Sequence, residues 1–163
     1  MRIFDKNALT DIRPYLFQSL LATFTILLIL LFLDVLSHTA IIATLGSTAF
    51  LVFTRPRAYA ARLRPLLGGY LIGICVGVLC YFLSLLPLPI SRSTEYIIFA
   101  AIAVGAAIFL MVLTDTEHPP AAGMALGLVM NPWDADTLLF ILSAILVMAA
   151  LRRLLQPIMI DLI

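Results

Sequence analysis

Charge is what this sequence has least of. Of its 163 residues only 12% are Asp, Glu, Lys or Arg, ten basic against nine acidic, for a net charge of +1. A soluble domain carries about a quarter charged residues, and a chain this short has no interior large enough to hide an apolar content of 63%. So balanced a charge excludes a nucleic-acid binder, which needs a basic face. The apolar content excludes a disordered chain. Cysteine is also scarce: Cys75 and Cys80 are too few for a disulfide scaffold. They fall on different faces of one helical run that contains no His or carboxylate, so they read as packing thiols. What remains, at a mean hydropathy of +1.14, is an all-α polytopic membrane protein forming a single transmembrane domain over residues 1–163.

A helix needs about twenty apolar residues to cross a hydrocarbon core of roughly 30 Å. Four runs qualify, 14–36, 66–86, 95–113 and 137–155, the last closed by Arg152 and Arg153. The first begins too late and runs too long for a cleaved leader, so a permanent helix is expected. Two shorter apolar pieces, 39–53 and 119–130, reach only about 20 Å each. If both merely dip into the membrane, the basic residues divide six to four between its faces. If both complete a crossing with extended chain, Arg2, Lys6, Arg13, Arg55, Arg57, Arg62, Arg64, Arg152 and Arg153 share one face and Arg92 stands alone on the other. Positive charge in short loops marks the cytoplasmic side, which selects six crossings with both termini cytoplasmic. Phe4, Ala8, Leu9 and Ile12, interleaved with Asp5, Lys6 and Asp11, predict a short interfacial helix before the first crossing.

The order long, short, long occurs twice. The stretch from Gly46 to Phe53 aligns with that from Gly123 to Met130, and Pro56 and Pro132 follow. Repeats of three crossings each must be inverted relative to one another, giving a 3+3 architecture with halves at about 14–88 and 93–156. Inverted-repeat transporters place their substrate near mid-membrane, where interrupted helices meet. The expectation is that the N-terminal tips of the two short helices converge there.

Helix starts favour anions through free N–H groups and the helix dipole. On one side the expected site residues are Thr44, Gly46, Ser47 and Thr48, contributing hydroxyls and close backbone approach. On the other they are His118, Pro119, Pro120, Ala121, Ala122 and Gly123, with the free N–H groups on Ala121, Ala122 and Gly123. A histidine inside a membrane protein is a candidate for function, as donor to an anion or carrier of a proton, although capping backbone carbonyls is the equal alternative. His38, Asp34 and Asp115 read as capping or interface groups, and Trp133 as an interfacial anchor. Gly69, Gly73 and Gly77 make a small-xxx-small face, and Ala101, Gly105 and Ile108 another. Four full-length helices enclose little, which points to a homodimer through the glycine-rich helix 66–86. No metal or cofactor site, and no enzymatic constellation, is expected.

The segment Glu117-His118-Pro119-Pro120-Ala121-Ala122-Gly123 resembles the signature of the HPP family of integral membrane proteins. The stretch from Ile42 to Ala49, followed by Pro56 and the pair Gly68-Gly69, is similar to that family's second motif. The resemblance implies transport of nitrite, a small flat anion, with a bacterial inner membrane as the setting. A passive channel for small neutral solutes and a non-transport membrane scaffold or sensor are the other functions considered.

Overall fold

The computed structural model describes residues 11–30 and 39–162. The interfacial helix expected over residues 4–12, the end of the first run, Asp34 and His38 lie wholly or almost wholly outside them. The described residues are helical with short connections: α1 (Arg13–Leu30), α2 (Thr39–Thr54), a 3₁₀ turn (Tyr59–Ala61), α3 (Leu63–Ser84), α4 (Arg92–Leu113), α5 (Pro119–Met130) and α6 (Ala135–Leu155). Of these, α3, α4 and α6 are long and apolar enough to cross a membrane, while α2 and α5 are the two short apolar helices.

Local chemistry sets the boundaries. Ser91 caps α4 by accepting the Thr94 N–H at 3.2 Å, and so starts that helix three residues earlier than the apolar run. Asp134 and Thr137 form a reciprocal capping box at α6, with the Thr137 N–H donating to Asp134 at 2.8 Å. Arg152 and Arg153 occupy the last turn of α6, where the helix dipole favours cations. Prolines at the first two positions of α5 remove N–H groups that the first turn could not use.

Successive helices alternate in direction. At one end, Leu162 N–H donates to the Thr54 carbonyl at 2.8 Å, Arg152 to that of Pro56 at 3.1 Å, and Arg64 to that of Thr114 at 3.1 Å. This end gathers Arg13, Arg55, Arg57, Arg62, Arg64, Arg152 and Arg153. Arg92 lies at the other end, bonded to the buried Glu95 at 3.0 Å and to the Ser84 carbonyl at 3.1 Å. Buried Gln18 ties the arginine end together. Its amide donates to the Phe53 carbonyl and, at 2.9 Å, to that of Ile160, and its oxygen accepts the Ile160 N–H at 3.1 Å.

The centre of the bundle is α5, packed against α2, α3 and α4, with Ala121, Met124, Ala125 and Leu128 fully buried. Lipid is as apolar as a leucine side chain, so close fit rather than water exclusion drives this packing. The α3 glycines allow it. A Cβ on Gly73 would strike the Ala121 carbonyl oxygen, and one on Gly77 would meet that of Ala125 at 2.9 Å. Gly73 and Gly77 thus pack against α5, and Gly69 against the extended segment that precedes it. Helices α3 and α5 share a long interface, whereas α6, which has no glycine, touches α2 only slightly.

Candidate functional site

After α4 the chain turns back into the bundle as extended backbone. Asp115 takes a left-handed conformation at φ 54°, and the Thr116 N–H bonds the Met111 carbonyl at 2.9 Å. Non-helical chain at membrane depth must be covered by protein or line a cavity. Here Gly68 and Gly69 supply the cover: a Cβ on Gly68 would come within 2.6 Å of the Thr116 methyl, and one on Gly69 within 2.7 Å of His118 Cβ. Tyr59 Oη donates to the Asp115 carbonyl at 2.5 Å, and an exposed ion pair of 3.3 Å joins Arg64 to Asp115. Since Gly69 lies six residues into α3, His118 sits about 9 Å inside the arginine end.

His118 is fully buried and its ring is fixed from both sides. Nδ1 lies 2.7 Å from the Ala60 carbonyl oxygen, which can only accept, so Nδ1 carries the proton and Nε2 is left as an acceptor in the neutral ring. Nε2 faces Thr48 Oγ1 at 3.1 Å, and Thr48 Oγ1 lies 2.6 Å from the Tyr70 hydroxyl. The proton order that satisfies every group runs from Tyr70 to Thr48 to His118 Nε2. A second acceptor, the Thr44 carbonyl, lies 3.0 Å from Thr48 Oγ1 and 3.2 Å from Tyr70 Oη. Either hydroxyl can turn to it, so Nε2 could gain a proton and donate to Thr48 without orphaning a group. The Tyr70 and His118 rings also pack, with centroids 5.2 Å apart. The cluster joins α2, α3, the start of α5 and the 3₁₀ turn.

Beside it, at mid-depth, lies an open cleft of about 630 Å³ lined by Ala43, Thr44, Ser47, Phe50, Leu51, Pro119, Pro120, Gly123 and Leu126. No charged side chain lines it. Both hydroxyls are turned to their own helix, Thr44 donating to the Ile41 carbonyl at 2.7 Å and Ser47 to that of Ala43 at 3.1 Å. The transmembrane-region family HPP matches residues 8–159. The chain belongs to the HPP family. No curated protein and no solved structure matches it. The His-Pro-Pro tripeptide of this HPP protein thus supplies a buried ring and one wall of a mid-depth cleft.

The geometry of the short helices differs from the tip-to-tip arrangement expected. Thr48 lies against His118 and Thr44 against Gly123, so α2 and α5 run side by side and antiparallel. Thr39, the start of α2, is nine residues, or about 13 Å, before Thr48. Gly46 is correspondingly not at a helix start. It sits in the middle of a continuous α2, is exposed, and a Cβ there would meet nothing within 4 Å. Nor is the α5 start a row of free donors. Pro119 and Pro120 have no N–H, and that of Ala121 is engaged by the His118 carbonyl at 2.9 Å. Ala121 faces the core, whereas Ala122 lines a second, smaller cleft with His118 and Pro119 and not the one described above. The cleft therefore brings together Thr44, Ser47, Pro119, Pro120 and Gly123, the cluster behind it holds Thr48 and His118, and Gly46 joins neither.

Sequence reasoning missed Tyr70, which an observer could have noted as a hydroxyl set among glycines on a helix that must be buried there. It also missed the Ala60 carbonyl, for which no sequence signal exists. Trp133, expected as an interfacial anchor, is half-buried in this HPP chain. Its indole N–H donates to the Leu128 carbonyl at 2.7 Å, and its ring edges against Tyr81 and Phe82.

Proposed function

We propose that the chain carries a small inorganic anion across the membrane along the α2–α5 seam, with nitrite the substrate suggested by the family resemblance. The observation that carries this reading is the mid-depth cleft free of carboxylates between two helices too short to span. A carboxylate there would repel an anion, and hydroxyls that can turn from their own helix would offer it donors. The arginine-bearing end supports the same sign of cargo, because clustered cations raise the local anion concentration. By the positive-inside rule that end faces the cytoplasm, and His118 lies on the cytoplasmic side of the cleft. The ring could take a proton in step with the anion's passage, since its network has a second acceptor in the Thr44 carbonyl.

One observation favours a second reading. The first-turn donors of α5 are missing or engaged and the cleft is largely apolar, which suits a passive path for small neutral solutes. Nitrite uptake into proteoliposomes separates the two. Saturable nitrite uptake that falls with Ser47→Phe in the cleft wall and with His118→Ala would support the anion carrier. No uptake by correctly inserted protein would refute it.

A further inference from the structure

Arg152 belongs to the last turn of α6 yet is only 6% exposed. Its Nη2 donates to the Pro56 carbonyl at 3.1 Å, while its Nε–H is buried with no partner. Neither ion pair among the described residues involves it. A guanidinium withdrawn from water is costly unless paired, and its unused donor adds to that cost. The α6 dipole eases part of the burden, but a neutral carbonyl on one nitrogen leaves the charge uncompensated and Nε–H unused. A negative charge with acceptor oxygens would meet both needs, and the planar guanidinium fork fits one well.

We propose that Arg152 is the binding residue of an oxyanion site at the arginine end, where an oxyanion replaces the Pro56 carbonyl as its partner. The ligand class is a small oxyanion, from either of two sources: a free ion in solution or the phosphate of a lipid headgroup. The site stands apart from the transport reading, because an anion can be held here whether or not anything is carried through the cleft.

The test uses full-length protein, delipidated in a phosphate-free maltoside detergent. Sodium nitrite, inorganic phosphate or dioleoylphosphatidylglycerol is added at constant ionic strength while thermal unfolding is followed. The expected result is a saturable rise in Tm whose midpoint concentration increases about tenfold or more in Arg152→Gln. Arg153→Gln, at an exposed position, should match the parent. A rise with the inorganic ions assigns the site to a solute. A rise with the lipid alone assigns it to a headgroup. If Arg152→Gln fails to fold, Arg152→Lys keeps the charge but loses the fork, and its midpoint should rise by a similar factor. Absence of any saturable rise, or an equal rise in parent and Arg152 variants, would overturn the proposal. Flux is not measured, so failure of the transport reading leaves this result intact.

Discussion

Thr48 Oγ1 and His118 Nε2, 70 positions apart in sequence, meet at 3.1 Å in the protein interior. Together with the approach of Thr44 to Gly123, this contact sets the register of the two short helices against each other, and the Tyr70 hydroxyl, 2.6 Å from Thr48, extends the link to α3.

Thr48→Val keeps the shape and removes the hydroxyl, so His118 Nε2 and Tyr70 lose a shared partner. The expected cost is about 1 kcal/mol, in the range of interhelical hydrogen bonds inside membranes. His118→Ala should cost more, roughly 2–4 kcal/mol, because it orphans the Ala60 carbonyl and leaves a void as well. Reversible unfolding in mixed micelles would rank the two, and equal costs would contradict the network as described.

Glycines of one sequence class should divide into two behaviours. Gly73→Ala drives a methyl into the Ala121 carbonyl, whereas Gly105→Ala points into open space. The first is expected to abolish stable folding. The second should be neutral or stabilising by up to about 1 kcal/mol through helix propensity. Melting temperatures in detergent would show the difference directly.

At Asp115 the backbone and the side chain pull in opposite directions. Its φ of 54° suits glycine, while its carboxylate pairs with Arg64 across an exposed 3.3 Å bridge. Exposed pairs contribute less than about 1 kcal/mol. Asp115→Gly should therefore be close to neutral, and Asp115→Val should lose about 1–2 kcal/mol from the left-handed conformation. Chemical denaturation of the pair of variants checks the order.

Gln18 holds the Phe53 and Ile160 backbone with one buried amide. In Gln18→Ala these groups lose their partners, at a cost of roughly 1–3 kcal/mol. Residues 157–162 should detach before the helices do. Faster carboxypeptidase trimming of the variant, with unchanged helix content by circular dichroism, is the expected signature. Equal trimming rates would show that other contacts hold the tail.

Much of the architecture could be read directly from residue order. The apolar runs gave α3, α4 and α6, the double proline marked the start of α5, and the arrangement of arginines foretold one basic end, because hydropathy, proline geometry and loop charge act within a few residues of where they are written. Cys75 and Cys80 fell on opposite faces, one exposed and one buried, as their spacing requires. The site was only half legible. Thr44, Ser47, Pro119, Pro120 and Gly123 do line one cleft, yet Gly46 stands outside it; Tyr70 was marked only by its place among glycines, and Ala60 and Arg152 gave no pattern that would have called attention to them.

The sequence by itself determined a membrane-embedded helical chain, its short segments and its charge asymmetry. Only the tertiary structure decided that α2 and α5 lie flank to flank instead of tip to tip, that α3 sets Gly73 and Gly77 against α5, and that Arg152 is buried with no ion-pair partner among the described residues. Hydropathy and turn chemistry are local properties of neighbouring residues. Which backbone approaches which, and which donor is left over, depends on how surfaces distant in sequence fit together in three dimensions.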